Sequence, residues 1–200
     1  MREIRISDRI RYIEATDTPL SADIGFVEDG GRLWLYDVGD GERAAAGLTG
    51  SYRVVLSHFH RDHTGNLPKI RAEELYVSRE TYLHAHAGTV VEGERRVGDL
   101  RIFSLPSSHC KGCLGLEVAE TYAFVGDALY CRVKDGFRVY NAQLLKAEID
   151  VLSDLRSPYL LVSHRPGLIR ERAEAIDELR AIYARREKNS PEIRLPFGEE

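Results

Sequence analysis

The sequence predicts a four-layer α/β architecture, a single αβ/βα sandwich in which two β-sheets pack face to face with helices outside. Three observations lead there. Two β-rich stretches recur along the chain, each followed by helical patterning, so that the order reads β…α…β…α-β-α. At 200 residues the chain has the size of one domain, enough to bury roughly 70% of the surface its unfolded form would expose. No internal repeat and no Pro/Gly/Ser-rich linker divides it. One domain over residues 1–200 is therefore expected, with residues 186–200 as a C-terminal tail.

The elements follow in order. Ile10 to Ile13 is short and strand-like, and Ile24 to Val27 and Leu33 to Val38 flank the turn signal Glu28-Asp29-Gly30-Gly31 as a hairpin. Val54-Val55-Leu56 suits a buried strand. Helical signals then occupy residues 66–87, with Ser78 as an N-cap and Gly88 as a stop. A second β-rich region runs from Val97 through Ile102 and Phe103, Leu114 to Val118 and Tyr122 to Val125. Asn141 caps a helix whose Leu145, Ile149 and Leu152 recur at i, i+4 and i+7, ahead of the apolar strand Tyr159 to Val162. A last helix is expected from about Leu168 to Arg186, with Ile169, Ala173, Ile176, Leu179 and Tyr183 on its apolar stripe.

Composition narrows the function. The apolar fraction of 43% and charged fraction of 30% are those of a folded soluble protein. No apolar run approaches the ~20 residues needed to cross a bilayer, and the first twenty residues are studded with charge, so neither membrane nor export is expected. A net charge of −4 disfavours a nucleic-acid partner. The odd set Cys110, Cys113 and Cys131 reads as reduced thiols in a cytoplasmic chain. A small-molecule substrate is the expected partner.

Directly after the buried strand stands His58-Phe59-His60-Arg61-Asp62-His63. Strand side chains alternate, so His58 and His60, while the chain stays extended, point to one side and can share an ion. Asp62 and His63 need only a turn to face a second ion, and Gly65 with the helical pattern beyond it indicates that this turn opens a helix. Neutral imidazole and carboxylate are donors that zinc and other borderline first-row ions prefer. By contrast, His84 and His86 lie two apart in a helical stretch, where i and i+2 do not face each other, and read as structural or surface residues.

The run His58, His60, Asp62, His63 resembles the HxHxDH signature of the metallo-β-lactamase superfamily, and the resemblance extends over most of the chain. Asp37 in Tyr36-Asp37-Val38-Gly39 stands where that family has an aspartate that braces the site without ligating metal. Pro106-Ser107-Ser108-His109, Phe124-Val125-Gly126-Asp127 and Leu161-Val162-Ser163-His164 resemble its later motifs. The resemblance implies the metallo-β-lactamase fold. It also implies one ion on His58, His60 and His109, another on Asp62, His63 and His164, and Asp127 as a bridge. An aspartate at 127 resembles the glyoxalase II, lactonase and RNA-processing branches more than the antibiotic-resistance enzymes with cysteine there. Two departures stand out. His109-Cys110-Lys111-Gly112-Cys113 replaces a Thr-Pro-Gly common after the third-motif histidine, and residues 165–200 leave room for a helix and tail instead of the helical substrate domain of glyoxalase II. Cys110 and Cys113 read as ordinary thiols, with a redox pair or half a zinc site as alternatives.

The expected cofactors are two divalent metal ions, zinc first, with iron or manganese as alternatives. Two such ions about 3.5–4 Å apart bring the pKa of bound water from about 15.7 toward ~7 and polarise a carbonyl. The expected activity is attack by this two-metal-activated hydroxide on a small carboxylic ester, thioester or lactone, with Asp62 and Asp127 orienting the hydroxide or taking its proton. Tyr130 is a candidate oxyanion donor, against a plain core or surface role. The alternatives are a mononuclear iron sulfur dioxygenase on His58, His60 and Asp127 or His109, a phosphodiesterase, and a non-catalytic metal-binding module.

Overall fold

The structure, a computed structural model, describes residues 3–198. The chain opens with β1 (Glu3–Arg5), β2 (Ile10–Ile13), a small ribbon of β3 (Thr16–Asp17) and β4 (Leu20–Ser21), β5 (Ile24–Asp29) and β6 (Arg32–Tyr36). The β5–β6 hairpin turns through Gly30 and Gly31 at φ 56° and 72°, left-handed values that glycine adopts without steric cost. Then come α1 (Glu42–Ala45), β7 (Ser51–Val55), α2 (Arg61–Thr64), β8 (Arg71–Val77), α3 (Arg79–Ala85) and β9 (Thr89–Val90). Together they give a 7-stranded sheet in the order β1-β2-β5-β6-β7-β8-β9, antiparallel as far as β6 and parallel from β6 to β9.

The second half follows with β10 (Glu94–Val97), β11 (Leu100–Leu105), β12 (Cys113–Val118), β13 (Tyr122–Gly126), β14 (Arg132–Lys134), β15 (Phe137–Asn141), α4 (Ala142–Asp154), β16 (Tyr159–Val162), β17 (Ile169–Glu171), α5 (Arg172–Ala184) and β18 (Glu192–Pro196). Its 6-stranded sheet has the order β10-β11-β12-β13-β16-β17, with β13 and β16 parallel. A 3-stranded sheet joins β14, β15 and β18.

Strand alternation divides the apolar residues into three cores. In β6, Trp34 and Tyr36 face the second sheet, while Leu33 and Leu35 face the helices over the first. In β13, Phe124 faces inward and Ala123 and Val125 face α4 and α5. The inter-sheet core therefore mixes Ile10, Val27, Trp34 and Val55 with Ile102, Leu116 and Leu161, while outer cores lie under the helices of each half. Each buried Leu, Ile, Val or Phe contributes ~1.5–3 kcal/mol. The Tyr36 and Phe124 rings stack at 5.0 Å across the sheets, and the Tyr36 hydroxyl donates to the Leu114 carbonyl at 2.7 Å. The result is the helix, sheet, sheet, helix layering that the sequence predicts.

Three local expectations are corrected, and one element is added. Residues 71–77, expected as helix, form β8: their opening Arg71-Ala72-Glu73-Glu74 has helical character, but pairing with β7 and burial of Tyr76 and Val77 decide the outcome. The last helix begins at Arg172, because Ile169 belongs to β17, and its buried stripe is Ala175, Ile176, Leu179 and Ile182. The β14–β15 hairpin was not expected at all. The supposed tail carries β18, which pairs with β15 and buries Ile193 and Leu195. The caps Ser78 and Asn141 are as expected: Ser78 Oγ accepts from the Thr81 amide at 3.1 Å, and Asn141 Oδ1 from Gln143 and Leu144 at 3.0 Å each.

Candidate metal centre

The motifs meet at one edge of the sandwich, where strands of both sheets end. β6 delivers Asp37, β7 delivers Ser57 and His58, β13 delivers Asp127 and β16 delivers His164. The strand ends turn sharply: Asp37, Gly126 and His164 adopt φ 61°, 54° and 58°. Left-handed backbone costs energy at a residue with a side chain, so Asp37 and His164 are held there by their surroundings. Asp37 Oδ1 accepts from the Ser57 amide at 2.7 Å, and Asp23 Oδ2 accepts from the His164 amide at 2.8 Å. A side chain on Gly126 would run into the Ser57 Cβ, 2.8 Å away. His60, still extended, precedes α2, whose first turn carries Asp62 and His63.

Two donor groups result. In the first, His60 Nδ1 lies 3.0 Å from both His58 Nε2 and His109 Nε2. In the second, Asp62 Oδ2 lies 3.1 Å from His164 Nε2 and 3.4 Å from His63 Nε2. Asp127 stands between them. Its Oδ2 is 3.5 Å from His109 Nε2, and its Oδ1 is 3.4 Å from His63 Nε2 and 3.8 Å from His164 Nε2. Behind the ligand atoms, His63 Nδ1 lies 2.7 Å from Asp37 Oδ2, and Ser57 Oγ lies 2.9 Å from His58 Nδ1 and 3.2 Å from His63 Nδ1. Such outer partners fix ring orientation.

Electrostatics sort the donors. Burial, and then the neighbouring imidazoles, push the pKa of His58 well down, and burial lowers those of His60 and His109. These shifts favour the neutral ring, the form that binds metal. Burial acts against ionisation of Asp62 and Asp127, but His164 and His63 override it and hold both carboxyls below the usual range. His63 is buried, which disfavours its charge, yet Asp37 and Asp127 drive its pKa well above normal, and the Asp62 hydrogen bond raises that of His164.

The residues fit metal ions. His63 Nε2 and Asp127 Oδ1 are both buried and face each other at 3.4 Å without the alignment of a hydrogen bond among the described residues, an arrangement that an ion between them would satisfy better. The ligand atoms of Asp62, His63, Asp127 and His164 lie within 4.8 Å of one another, as do those of His58, His60, His109 and Cys110.

Comparison with solved structures places the architecture. A B3 metallo-β-lactamase with an active-site glutamic acid superposes with TM-score 0.68 at 15% identity, covering 94% of this chain and 92% of that one. The DIM-1 metallo-β-lactamase gives TM-score 0.68 at 14% identity, with 92% and 96% covered. An archaeal metallo-β-lactamase superfamily protein from Sulfolobus tokodaii gives 0.59 at 16%, with 92% and 90% covered. The chain has the metallo-β-lactamase fold. Comparisons with family models and with curated proteins find no match for the sequence.

Within the metallo-β-lactamase fold, every donor the motifs nominate reaches the same edge. His84 and His86 belong to neither donor group: exposed His84 stacks on Phe59 with centroids 4.2 Å apart, and His86 caps α3. Tyr130 lies beside the site, but its hydroxyl donates to the Ser163 carbonyl at 2.8 Å, and burial with Asp127 nearby pushes its pKa up to about 12. Its one proton is therefore committed to the backbone that carries His164. Motif reading missed Asp23 and Ser57. Asp23 holds the Ala15 and His164 amides and approaches Ser163 Oγ, across 141 residues of sequence in the His164 contact. Nothing local marks it; Ser57 is marked only by preceding His58.

Proposed function

We propose that the protein is a metal-dependent hydrolase that binds two divalent ions and opens a small carboxylic ester, thioester or lactone. The observation that carries the reading is Asp127, whose two carboxylate oxygens face different donor groups 3.5 Å and 3.4 Å away. His58, His60 and His109 would hold one ion, Asp62, His63 and His164 the other, and Asp127 both. Imidazole and carboxylate donors suit zinc, with iron or manganese as the alternatives; a flavo di-iron protein from Thermotoga maritima shares the fold at TM-score 0.64 and 15% identity, this chain spanning 63% of that one. When bound, the ions supply a nucleophile from water at neutral pH and polarise the substrate carbonyl.

The chain's own groups do the rest. Asp62 and Asp127, ionised and only partly solvated, can orient a water through its protons and accept one as the acyl bond breaks. Asp37 and Asp23 keep His63 and His164 aimed. Tyr130 steadies the Ser163 carbonyl, and would serve an oxyanion only by releasing that bond. Beside His164 a cavity of about 360 Å³ is lined by Glu14, Asp17, Asp23 and Arg165 among others. Its acidic character favours small acyl substrates over polyanions, which need a basic track. Among the described residues no helix is long and apolar enough to cross a membrane, and we place the protein in the cytoplasm on its free cysteines.

The test is a panel of esters, thioesters, lactones and β-lactams beside labelled RNA and a bis-aryl phosphate, with elemental analysis of the same preparation and Asp127→Ala as contamination control. Hydrolysis of carbonyl substrates by protein with about two ions per chain is the expected result. Cleavage of phosphodiesters alone, lost in the variant, would overturn the substrate class but leave the centre intact.

A further inference from the structure

Cys110 follows His109 in the loop between β11 and β12, and the loop turns so that both side chains reach the same place. Its Sγ and ring nitrogens of His58, His60 and His109 all lie within 4.8 Å of one another. On its other side Cys110 Sγ is 3.5 Å from Cys113 Sγ. Cys113 is fixed at the start of β12 with 2% of its surface exposed, while Cys110 is half-buried. The tight turn between them depends on Gly112 at φ 74°, where a side chain would meet Ser78 Oγ at 2.7 Å. A single sulfur thus stands between a triad of neutral imidazoles and a second sulfur, with a cavity of about 460 Å³ opening beside both cysteines.

We propose that Cys110 alternates between two partners: reduced, it is a further protein donor to the ion that His58, His60, His109 and Asp127 would hold; oxidised, it is withdrawn from that ion by a disulfide to Cys113. The inference rests on the metal-centre reading above. With three imidazoles and Asp127 on that ion, a thiolate brings zinc to five protein donors, the largest number a catalytic zinc site takes, whereas four leave that position open for water or substrate. Reduced Cys110 therefore closes the first ion's coordination, and its removal opens it. The oxidant is a low-molecular-weight disulfide. Cys110 Sγ attacks one of its sulfurs and expels the first thiolate; Cys113 Sγ then attacks Cys110 Sγ and expels the second. One thiolate and one thiol become a disulfide while the external disulfide becomes one thiolate and one thiol, the Cys113 proton passing to a departing sulfur; the remaining thiolate takes its proton from water. The sulfurs must close from 3.5 Å to about 2.05 Å, which movement of the half-buried partner, Cys110, can supply.

The test uses the full chain loaded with cobalt(II), whose visible ligand-field bands report binding and whose near-ultraviolet sulfur-to-metal charge-transfer band reports a thiolate ligand. The reduced wild type should show both. Cys110→Ser should lose the charge-transfer band and keep the ligand-field bands, and Cys113→Ser should keep both. Excess oxidised glutathione should abolish the charge-transfer band in the wild type with loss of two hydrogen masses, reversibly on reduction, and should give Cys113→Ser only a mixed disulfide. Ligand-field bands without charge transfer in the reduced wild type would overturn the ligand assignment, and no internal disulfide would overturn the switch. Absence of all cobalt bands would overturn the metal centre itself.

Discussion

Asp127 concentrates the argument in one side chain: it is buried, it is ionised, and its Oδ1 lacks a hydrogen bond among the described residues. Replacing it with alanine removes a donor from both groups at once. Asp127→Ala should lower metal affinity by roughly 10–100-fold or more and remove hydrolysis, whereas His84→Ala, which loses only a stack on Phe59, should bind metal and turn over nearly as wild type. Equal loss in the two variants, read by elemental analysis and initial rates, would break the ligand assignment. Tyr130 makes the opposite case. Because its proton already serves the Ser163 carbonyl, Tyr130→Phe should cost about 1 kcal/mol of stability and change kcat only a few-fold. A fall of ~10²–10³ in kcat at unchanged KM would instead make it an oxyanion donor. The contrast also marks what could be read from sequence. Donors in six consecutive residues announce themselves by residue type and spacing, and the later candidate donors by strand-end position; Asp23 could not be read, since its role exists only once β16 folds back beside it.

Among the elements, α4 was legible because its cap and apolar spacing agree with its burial, yet it hides a polar group that periodicity cannot flag. Glu148 lies on its buried face, with neither carboxylate oxygen hydrogen-bonded among the described residues, and burial pushes its pKa well above the usual carboxyl range. A raised folded-state pKa means that stability is fully present below the unfolded value and falls as pH rises through the folded one. Glu148→Leu should therefore raise the melting temperature at pH 7, recovering about 1–3 kcal/mol of desolvation cost, and flatten the stability profile between mildly acidic and neutral pH. Denaturation at several pH values checks it; an unchanged pH slope would refute the account. The strand β8 failed to show itself for the converse reason. Its first residues are exposed and charged, so helix and strand patterns differ little there, and only the pairing with β7, a tertiary fact, chooses between them. The pairing of β15 with β18 was equally invisible, because α4, β16, β17 and α5 separate the two strands, whereas the β14–β15 hairpin turns through Asp135-Gly136, a local signal that the sequence does carry.

For the whole molecule, the fold class was readable because each half carries its own strand-to-helix pattern, while the joining of the halves depends on side chains no pattern pairs in advance. The centre is one such joint. His58, His60, Asp62 and His63 follow β7 of the first sheet, whereas His109, Asp127 and His164 follow β11, β13 and β16 of the second. An ion on either donor group is therefore held by residues from both sheets, and unfolding would scatter its ligands. A ligand that binds only the folded state at 100 times its dissociation constant stabilises by about 2.7 kcal/mol. For a domain of this size each kcal/mol moves the melting temperature by roughly 2–4 °C. Zinc at that concentration should thus raise the melting temperature of the apoprotein by roughly 5–10 °C, with chelator returning it to the starting value. Asp127→Ala, with one donor gone from each ion, should show a much smaller shift at the same zinc concentration. Scanning calorimetry of the apo and loaded forms at several zinc concentrations measures this directly. A melting temperature indifferent to zinc in the wild type would mean that the donors do not clasp an ion across the two sheets, and the binuclear centre would fall with it.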